Sequence, residues 1–500
     1  MFKRSSGVLM HISSLWGDYG IGTFGKNAYQ FIDFLKETGC KYWQVLPFGP
    51  TDSYNSPYAS LSAFAGNINF IDPETLFDEG LLTQTELNEQ KYASPYTAAF
   101  EFLKATKTPM LYKAYQRISS QTKLKVSEFA KENISWLKDY TVYAVIKQLE
   151  NGREWYDWQD RDLSLHKHEA VDMAYKNHRE TIDFLEFVQY EFFRQWRSIK
   201  DYANKNGVEI IGDLPMYVSL ASSDVWANQN MFDLDERGKP NTVAGVPPDY
   251  FSADGQKWGN PLYNWQAMKA DGYSWWLKRL AAAFDLYDIV RIDHFRAFSS
   301  YWAVPTDSPT ARKGEWKDGP AMDFFEKAIN KFGKDRIIAE DLGVVDDGVI
   351  NLIKDTGFPC MRVMQFGFSG RGDSMHLPHN HPVNCVAYTG THDNNTSLGW
   401  LWEANPDERK HTLDYCSFYG DDWSRGGFDN TSVKAMIKTL WLSPANITIV
   451  PVQDLCGFGK DTKMNMPGVP NGNWSFRLSY EHFCAIDKEW LKQINLTFFR

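Results

Sequence analysis

The sequence predicts an α/β chain, a (β/α)8 TIM barrel with mainly helical and loop subdomains inserted between its strands. Three observations predict it. Eight short apolar runs follow one another, most of them trailed by helical periodicity, and strands alternating with helices pair in parallel and close at eight. Three of the runs lead to a carboxylate, Asp293 in IVRIDHF, Glu340 in RIIAED and Asp393 in VAYTGTHDNN, at the strand ends where barrel enzymes keep their catalytic groups. No GxGxxG or GxxxxGK[ST] phosphate loop follows the first run, which weighs against the alternative, an open doubly wound sheet.

In chain order the runs are GVLMHIS (7–13), YWQVLP (42–47), EIIGDLP (209–215), DIVRID (288–293), RIIAED (336–341), CMRVMQF (360–366), CVAYTGTHD (385–393) and ITIVPVQD (447–454). The centres of the fourth and fifth are apolar without alternation, as in strands buried on both faces. The gap between the second and third runs is far too long for a loop and must carry structure of its own. Residues 78–149 look helical and rather polar, with the amphipathic run WLKDYTVYAVIKQL. A single helix is expected over 168–204, where Leu185, Val188, Phe192, Gln195, Trp196, Ile199 and Ala203 recur at helical spacing. The whole of 1–500 is thus expected to be one catalytic barrel. A mainly helical subdomain is inserted over 52–170, and a loop-rich one over 217–273 carries VPPDYFSADGQKWGNP.

A formal charge of −10 argues against nucleic-acid and anionic-membrane partners, which call for a basic surface. Six cysteines without a CxxC pair suggest reduced thiols and neither a disulfide framework nor a zinc site. The segment MFKRSSGVLMHIS lacks an apolar stretch of signal-peptide length, and no segment reaches about 18 uninterrupted apolar residues. A soluble cytoplasmic protein is expected. Aromatic residues make up 15%, and many, such as Tyr54, Tyr58, Tyr250, Phe251 and Trp258, stand among Gly, Asn, Asp and Pro. Rings on polar loops suit ligands with flat apolar faces and polar rims, of which sugars are the commonest.

Three strand-end acids in a neutral, aromatic-lined cleft suit two chemistries, metal-assisted hydrolysis and glycosidic cleavage. His376, His379 and His381 form an H-x-x-H-x-H cluster, but with two prolines and no acid at ligand spacing. No metal is expected at this cluster. Glycosidic cleavage needs an ionised carboxylate and a protonated one. Arg291 shares strand parity with Asp293, so its guanidinium would keep that carboxylate ionised; the alternative is a purely structural buried pair. Glu340 has no basic neighbour in IIAEDLG, and apolar surroundings would hold its proton on. Asp341 would point the other way. Asp393 would be a second anion supporting the positive charge that builds on the sugar.

The segments WQVLPFGPT, DSYNSPYASLSAFAGN, IIGDLPMYV, GVPPDYFSADGQKWGNPLYNW, IVRIDHFRAF, IIAEDLG, YTGTHDNNT and MPGVPNGNWSFR together resemble the amylomaltases. These are the bacterial 4-α-glucanotransferases of the α-amylase clan, also called disproportionating enzymes. The resemblance runs from about residue 5 to the C-terminus in consistent order. It implies retaining transfer on α-1,4-glucans and maltooligosaccharides, with glucose or another maltooligosaccharide as acceptor. It implies Asp293 as nucleophile, Glu340 as acid/base and Asp393 as the transition-state acid. Tyr58, Asp213, Arg291 and His392 would surround the cleaved glucose, Trp258 and Phe366 would line the glucan groove, and Ser56 and Asn465 would add polar contacts. It also implies no compulsory cofactor and no C-terminal β-sandwich.

A retaining site places its two carboxyl groups about 5 Å apart. Transfer outruns hydrolysis only where an acceptor sugar is bound and water is poorly placed, and the aromatic loop 249–261, with Gly255 and Gly259, is the expected lid. An α-glucan hydrolase would use the same acids, and an inactive glucan-binding protein would have lost one. A phosphosugar isomerase or aldolase would hold phosphate on the glycines of QDLCGFG, but the acidic cluster would repel phosphate and no strand-end lysine offers an aldolase a Schiff base, so it is set aside.

Overall fold

The computed structural model describes residues 2–248, 252–370, 372–469 and 471–500. Among them the strands are β1 (Ser5–Leu9), β2 (Tyr42–Gln44), β3 (Glu209–Leu214), β4 (Thr242–Val246), β5 (Gln256–Pro261), β6 (Ile289–Ile292), β7 (Ser300–Pro305), β8 (Glu315–Asp318), β9 (Ile337–Ala339), β10 (Cys360–Val363), β11 (Cys385–Tyr388) and β12 (Ile447–Pro451). Eight of them form one parallel sheet in the order β10-β11-β12-β1-β2-β3-β6-β9. These are the eight predicted runs. The ring is completed between β9 and β10 by irregular bonds, Ala339 N–H to the Pro359 carbonyl at 3.0 Å and Met361 N–H to Asp341 Oδ1 at 2.7 Å. The fold is therefore a (β/α)8 barrel. Its strands are buried along nearly their whole length, as expected of mainly apolar parallel strands, and the charged residues buried within them, Asp213, Arg291 and Arg362, are held in ion pairs.

The helix expected over 168–204 is two helices, His168–Asn177 and Arg179–Lys205, parted at His178 (φ −112°, ψ 29°). The longer one buries Ile182, Phe192, Trp196, Ile199 and Ala203 and stops where Gly207 takes a left-handed turn (φ +79°) with Val208 N–H bonded to the Ala203 carbonyl. Each such apolar side chain contributes about 1.5–3 kcal/mol by leaving water. The shorter helix buries Val171 and Ala174 and packs on helix Ile134–Leu149 of the first insertion. The longer helix packs on that same helix, so the break at His178 turns the chain between two segments that share a neighbour. A β-carbon at Gly66 would sit 2.1 Å from the Phe192 ring, so alanine there would drive this helix off the segment after β2.

The stretch 217–273, expected to be loop-rich, carries β4, β5 and helices Ser223–Ala227 and Trp265–Ala270. With β7 and β8 it builds a four-stranded antiparallel sheet in the order β5-β4-β7-β8. This sheet escapes local pattern reading because β5, QKWGNP, is mostly exposed and polar, and because half its strands come from beyond β6. Residues 249–251 of the expected lid, with Tyr250 and Phe251, lie outside the described residues. All six cysteines are free thiols, buried except Cys484. No helix among the described residues is long and apolar enough to cross a membrane.

Candidate active site

A cleft of about 590 Å³ opens over the C-terminal ends of the barrel strands. Asp293 and Glu340 are the first residues past β6 and β9, each held at its strand end by a backbone bond, Asp293 N–H to the Leu214 carbonyl at 3.0 Å and Glu340 N–H to the Ile292 carbonyl at 3.1 Å. Asp393 is not at a strand end, because β11 stops at Tyr388. There the chain leaves the sheet, Thr389 bonding Asp454 at 2.6 Å, and a tight turn held by the Asn394 side chain on Thr391 brings Asp393 to the cleft.

The shared parity of Arg291 and Asp293 has the predicted consequence, a 3.0 Å ion pair between Arg291 Nη2 and Asp293 Oδ1. Arg291 is also the register partner of Asp213 across β3 and β6, and its Nη1 lies 2.5 Å from Asp213 Oδ2. Tyr58 donates its hydroxyl to the same Asp213 oxygen at 2.6 Å. Asp213, expected beside the cleaved glucose, is instead buried beneath the cleft and reaches it through Tyr58 and Arg291. The other predicted residues, Ser56, Tyr58, Trp258, Arg291, Asp293, Glu340, Phe366, His392, Asp393 and Asn465, all line the cleft. Asp341 does point away, onto Arg362 at 2.8 Å.

Burial pushes the Glu340 carboxyl up to about 7, opposed by Arg291 and by two backbone donors, Leu342 N–H at 2.6 Å and His294 N–H at 2.7 Å. Those donors were invisible in sequence. The second comes from His294, whose left-handed backbone (φ 48°, ψ 47°) turns its N–H toward the acid. Burial also raises Asp293, to about 6, with Arg291 pulling it down, so the carboxyl with the direct cation partner ionises first. Burial acts on Asp393 too, but His392 at 3.3 Å and the Asn465 amide at 2.6 Å outweigh it and hold the group at about 2. The His392 imidazole is raised in return, Asp393 overcoming its burial, and it stacks on Tyr58 at 5.1 Å. The cleft thus combines a protonatable acid, a cation-paired carboxylate and a permanent anion. That is the equipment for splitting and remaking a bond at an anomeric carbon.

A family model described as 4-alpha-glucanotransferase, glycoside hydrolase family 77, matches residues 10–483. The chain belongs to the 4-alpha-glucanotransferase family. It is 43% identical over 502 residues to the 4-alpha-glucanotransferase of Streptococcus pneumoniae, covering 100% of this chain and 98% of that one. Among solved structures, an amylomaltase from Streptococcus agalactiae in complex with acarbose superposes with a TM-score of 0.95 at 37% identity, covering both chains completely. The amylomaltase of Corynebacterium glutamicum, at 17% identity and a TM-score of 0.79 over 99% of this chain and 75% of that one, shares the fold. As a family member this chain is a 4-alpha-glucanotransferase, a hexosyl-transferring enzyme acting on α-glucans.

Sequence reasoning overlooked several cleft-lining residues, among them Tyr217, Gln256, His294, Leu342, Asn473 and Trp474. His294 and Leu342 are within two positions of the acids, and Trp474 lies within NGNWSFR, so adjacency was the available signal. Trp474 takes a left-handed backbone (φ 64°) and packs on Tyr58 at 5.6 Å and His392 at 6.0 Å. Each of the three histidines of the H-x-x-H-x-H run uses one ring nitrogen in a hydrogen bond: His376 Nδ1 accepts Val363 N–H at 3.2 Å, His381 Nε2 meets the His376 carbonyl at 3.0 Å, and His379 Nδ1 meets Tyr415 at 2.8 Å. Among the described residues no group of three metal-ligating side chains converges.

Proposed function

We propose that Asp293 and Glu340 perform the family's 4-α-glucan transfer as nucleophile and acid/base, and that Asp393 supports the charge between the two steps. The observation that carries the reading is the His294 N–H bond to Glu340, which ties the residue after one acid directly to the other. Asp293 attacks the anomeric carbon. The bond to the departing glucan's 4-oxygen breaks as Glu340 protonates that oxygen, leaving a covalent glucosyl-enzyme. Glu340, now a carboxylate, takes the proton of an incoming 4-hydroxyl, whose oxygen displaces Asp293 and restores the original configuration.

Asp393, an anion at any working pH, faces the developing oxocarbenium character. Tyr58, Arg291 and His392 hold the glucose being cleaved, with Asp213 fixing Tyr58 and Arg291 from below. Trp258 and Phe366 supply apolar faces for neighbouring glucose rings, and Ser56 and Asn465 supply polar contacts. The acceptor is the non-reducing end of glucose or a maltooligosaccharide. The subdomain over 52–170 walls the cleft, and β5, whose Gln256 and Trp258 line the cleft, covers the bound acceptor against water. Cytoplasmic glucan metabolism is the setting this reading fits.

Maltotriose incubated alone with the enzyme tests it. Glucose plus a ladder of longer maltooligosaccharides, at constant total reducing ends, is the expected outcome. Rising reducing ends with glucose and maltose as products would make the chain a hydrolase and remove the covering role of β5.

A further inference from the structure

The loops after β6 and β9 are tied together by three consecutive residues. His294 N–H donates to Glu340 Oε2, and Phe295 N–H donates to the Glu340 carbonyl at 3.1 Å. Arg296 follows, buried, and its guanidinium donates to the Val344 carbonyl, lies 3.0 Å from Asp346 Oδ2 and bonds Ser300 Oγ at 3.1 Å. Asp346 in turn caps helix Asp347–Thr356 through Val349 N–H at 3.0 Å. The open face of the guanidinium is covered by Trp316 of β8, whose ring centre is 4.1 Å from Cζ, and Trp316 packs edge-on against Trp302 of β7 at 5.2 Å.

Between Glu340 and the segment Arg296 grips run Leu342 and Gly343, both lining the cleft. Gly343 has a left-handed φ of +86°, and a β-carbon there would meet nothing within 4 Å. The near end of the turn is held by Asp341 on Arg362 and Met361 N–H and by Leu342 against the core, but Gly343 and Val344 are exposed with little packing of their own, and the far end is fixed by Arg296. A guanidinium can bond a carbonyl and a carboxylate in fixed directions while an indole stacks on its face, which an ammonium cannot do.

We propose that Arg296, covered by Trp316, is a positioning residue for the acid/base: it anchors the far end of the loop 341–346, at Val344 and Asp346, so that the Glu340 carboxyl faces the bond Asp293 attacks. This rests on the roles given above to Asp293 and Glu340. It links the small antiparallel sheet mechanically to proton transfer without either residue touching substrate.

The test compares two reactions in Arg296→Met, Arg296→Lys and Trp316→Ala. The first is disproportionation of maltotriose. The second is conversion of α-maltosyl fluoride to maltosyl azide, in which fluoride leaves with the C–F electron pair unprotonated and azide forms the C–N bond without losing a proton. The second reaction needs Asp293 and bypasses Glu340 in both halves. Arg296→Met is expected to lower kcat on maltotriose about 100-fold, the scale of general acid catalysis, with KM little changed and the fluoride-to-azide rate within about threefold of wild type. Arg296→Lys should recover only part of the loss, and Trp316→Ala should show a smaller loss with the same split.

Equal losses on both reactions, or an unaffected maltotriose rate, would overturn the positioning role. Glu340→Ala and Asp293→Asn keep the underlying reading separately accountable. The first should lose maltotriose turnover and keep the azide reaction; the second should lose both. If those two controls fail, the role assignment fails whatever Arg296 does.

Discussion

The Arg291 guanidinium stands between two carboxylates, 2.5 Å from Asp213 on the neighbouring strand and 3.0 Å from Asp293 two residues along its own. Asp213 has no exposed side-chain surface, and Arg291 very little. Removing one member of a buried pair strands the other, so Arg291→Met should cost about 3–5 kcal/mol in urea unfolding. Replacing both buried partners, Arg291→Met with Asp213→Leu, should recover part of that stability, because the fully buried carboxylate is removed with its cation, while Asp293, partly exposed, is left without Arg291 and Tyr58 without its acceptor. Activity should stay lost in the double variant. Stability that fails to recover would mean the pair does more than neutralise itself.

The same arrangement sets a pH dependence. Below about 6 Asp293 takes up a proton and ceases to be a nucleophile; above about 7 Glu340 gives its proton up and ceases to be an acid. A plot of kcat/KM for maltotriose against pH should be a narrow bell with its top between those values. Glu340→Gln should abolish maltotriose turnover by at least about 100-fold while isothermal titration still detects binding. Full activity in that variant would dismiss Glu340 as the acid.

How far the sequence speaks depends on whether a signal is local. The barrel strands were legible because each is a short, continuous apolar run, and strand parity alone put Arg291 beside Asp293. The helix break at His178 was not, since Val171 and Ala174 keep a helical pattern up to the break and the residues after it resume one. Nor was the small sheet, whose strand β4 finds partners on both sides only after the chain has passed through β6. Asp213 illustrates the same limit within the site. The resemblance implied a place beside the cleaved glucose, and the register with Arg291 shows it buried against that guanidinium.

Trp258, on the exposed edge strand β5, stands edge-on to His294 at 4.8 Å and near Tyr217 at 6.2 Å. With about 38% of its surface exposed it offers a ring face to the cleft. Trp258→Ala should raise KM for maltotriose about 3- to 10-fold, the scale of one aromatic contact. It should also increase the share of hydrolysis, read as reducing ends released per glucose formed. An unchanged KM would take Trp258 out of the groove.

Because His376, His379 and His381 each use a ring nitrogen or the ring itself on a neighbouring group, prolonged dialysis against EDTA should leave the maltotriose rate unaltered. A loss restored by a divalent cation would revive metal chemistry for this cluster.

Gly212 immediately precedes Asp213 on β3, and the Tyr287 ring occupies the place of its missing side chain, 2.0 Å from where a β-carbon would be. The ring is buried and wedged against the strand, so Gly212→Ala must displace either Tyr287 or β3. Overpacking of this kind costs about 1–3 kcal/mol, visible as a lower melting temperature. If the strand moves, Asp213 moves with it and so do the groups it fixes, Tyr58 and Arg291, which predicts a fall in kcat as well. Pairing the substitution with Tyr287→Leu makes room for the methyl group, so the double variant should be more stable than the sum of the two single changes allows, and should regain kcat. Strict additivity would show that crowding at Tyr287 is not what Gly212 relieves, and would separate the glycine from the chain of contacts that ends at Asp293.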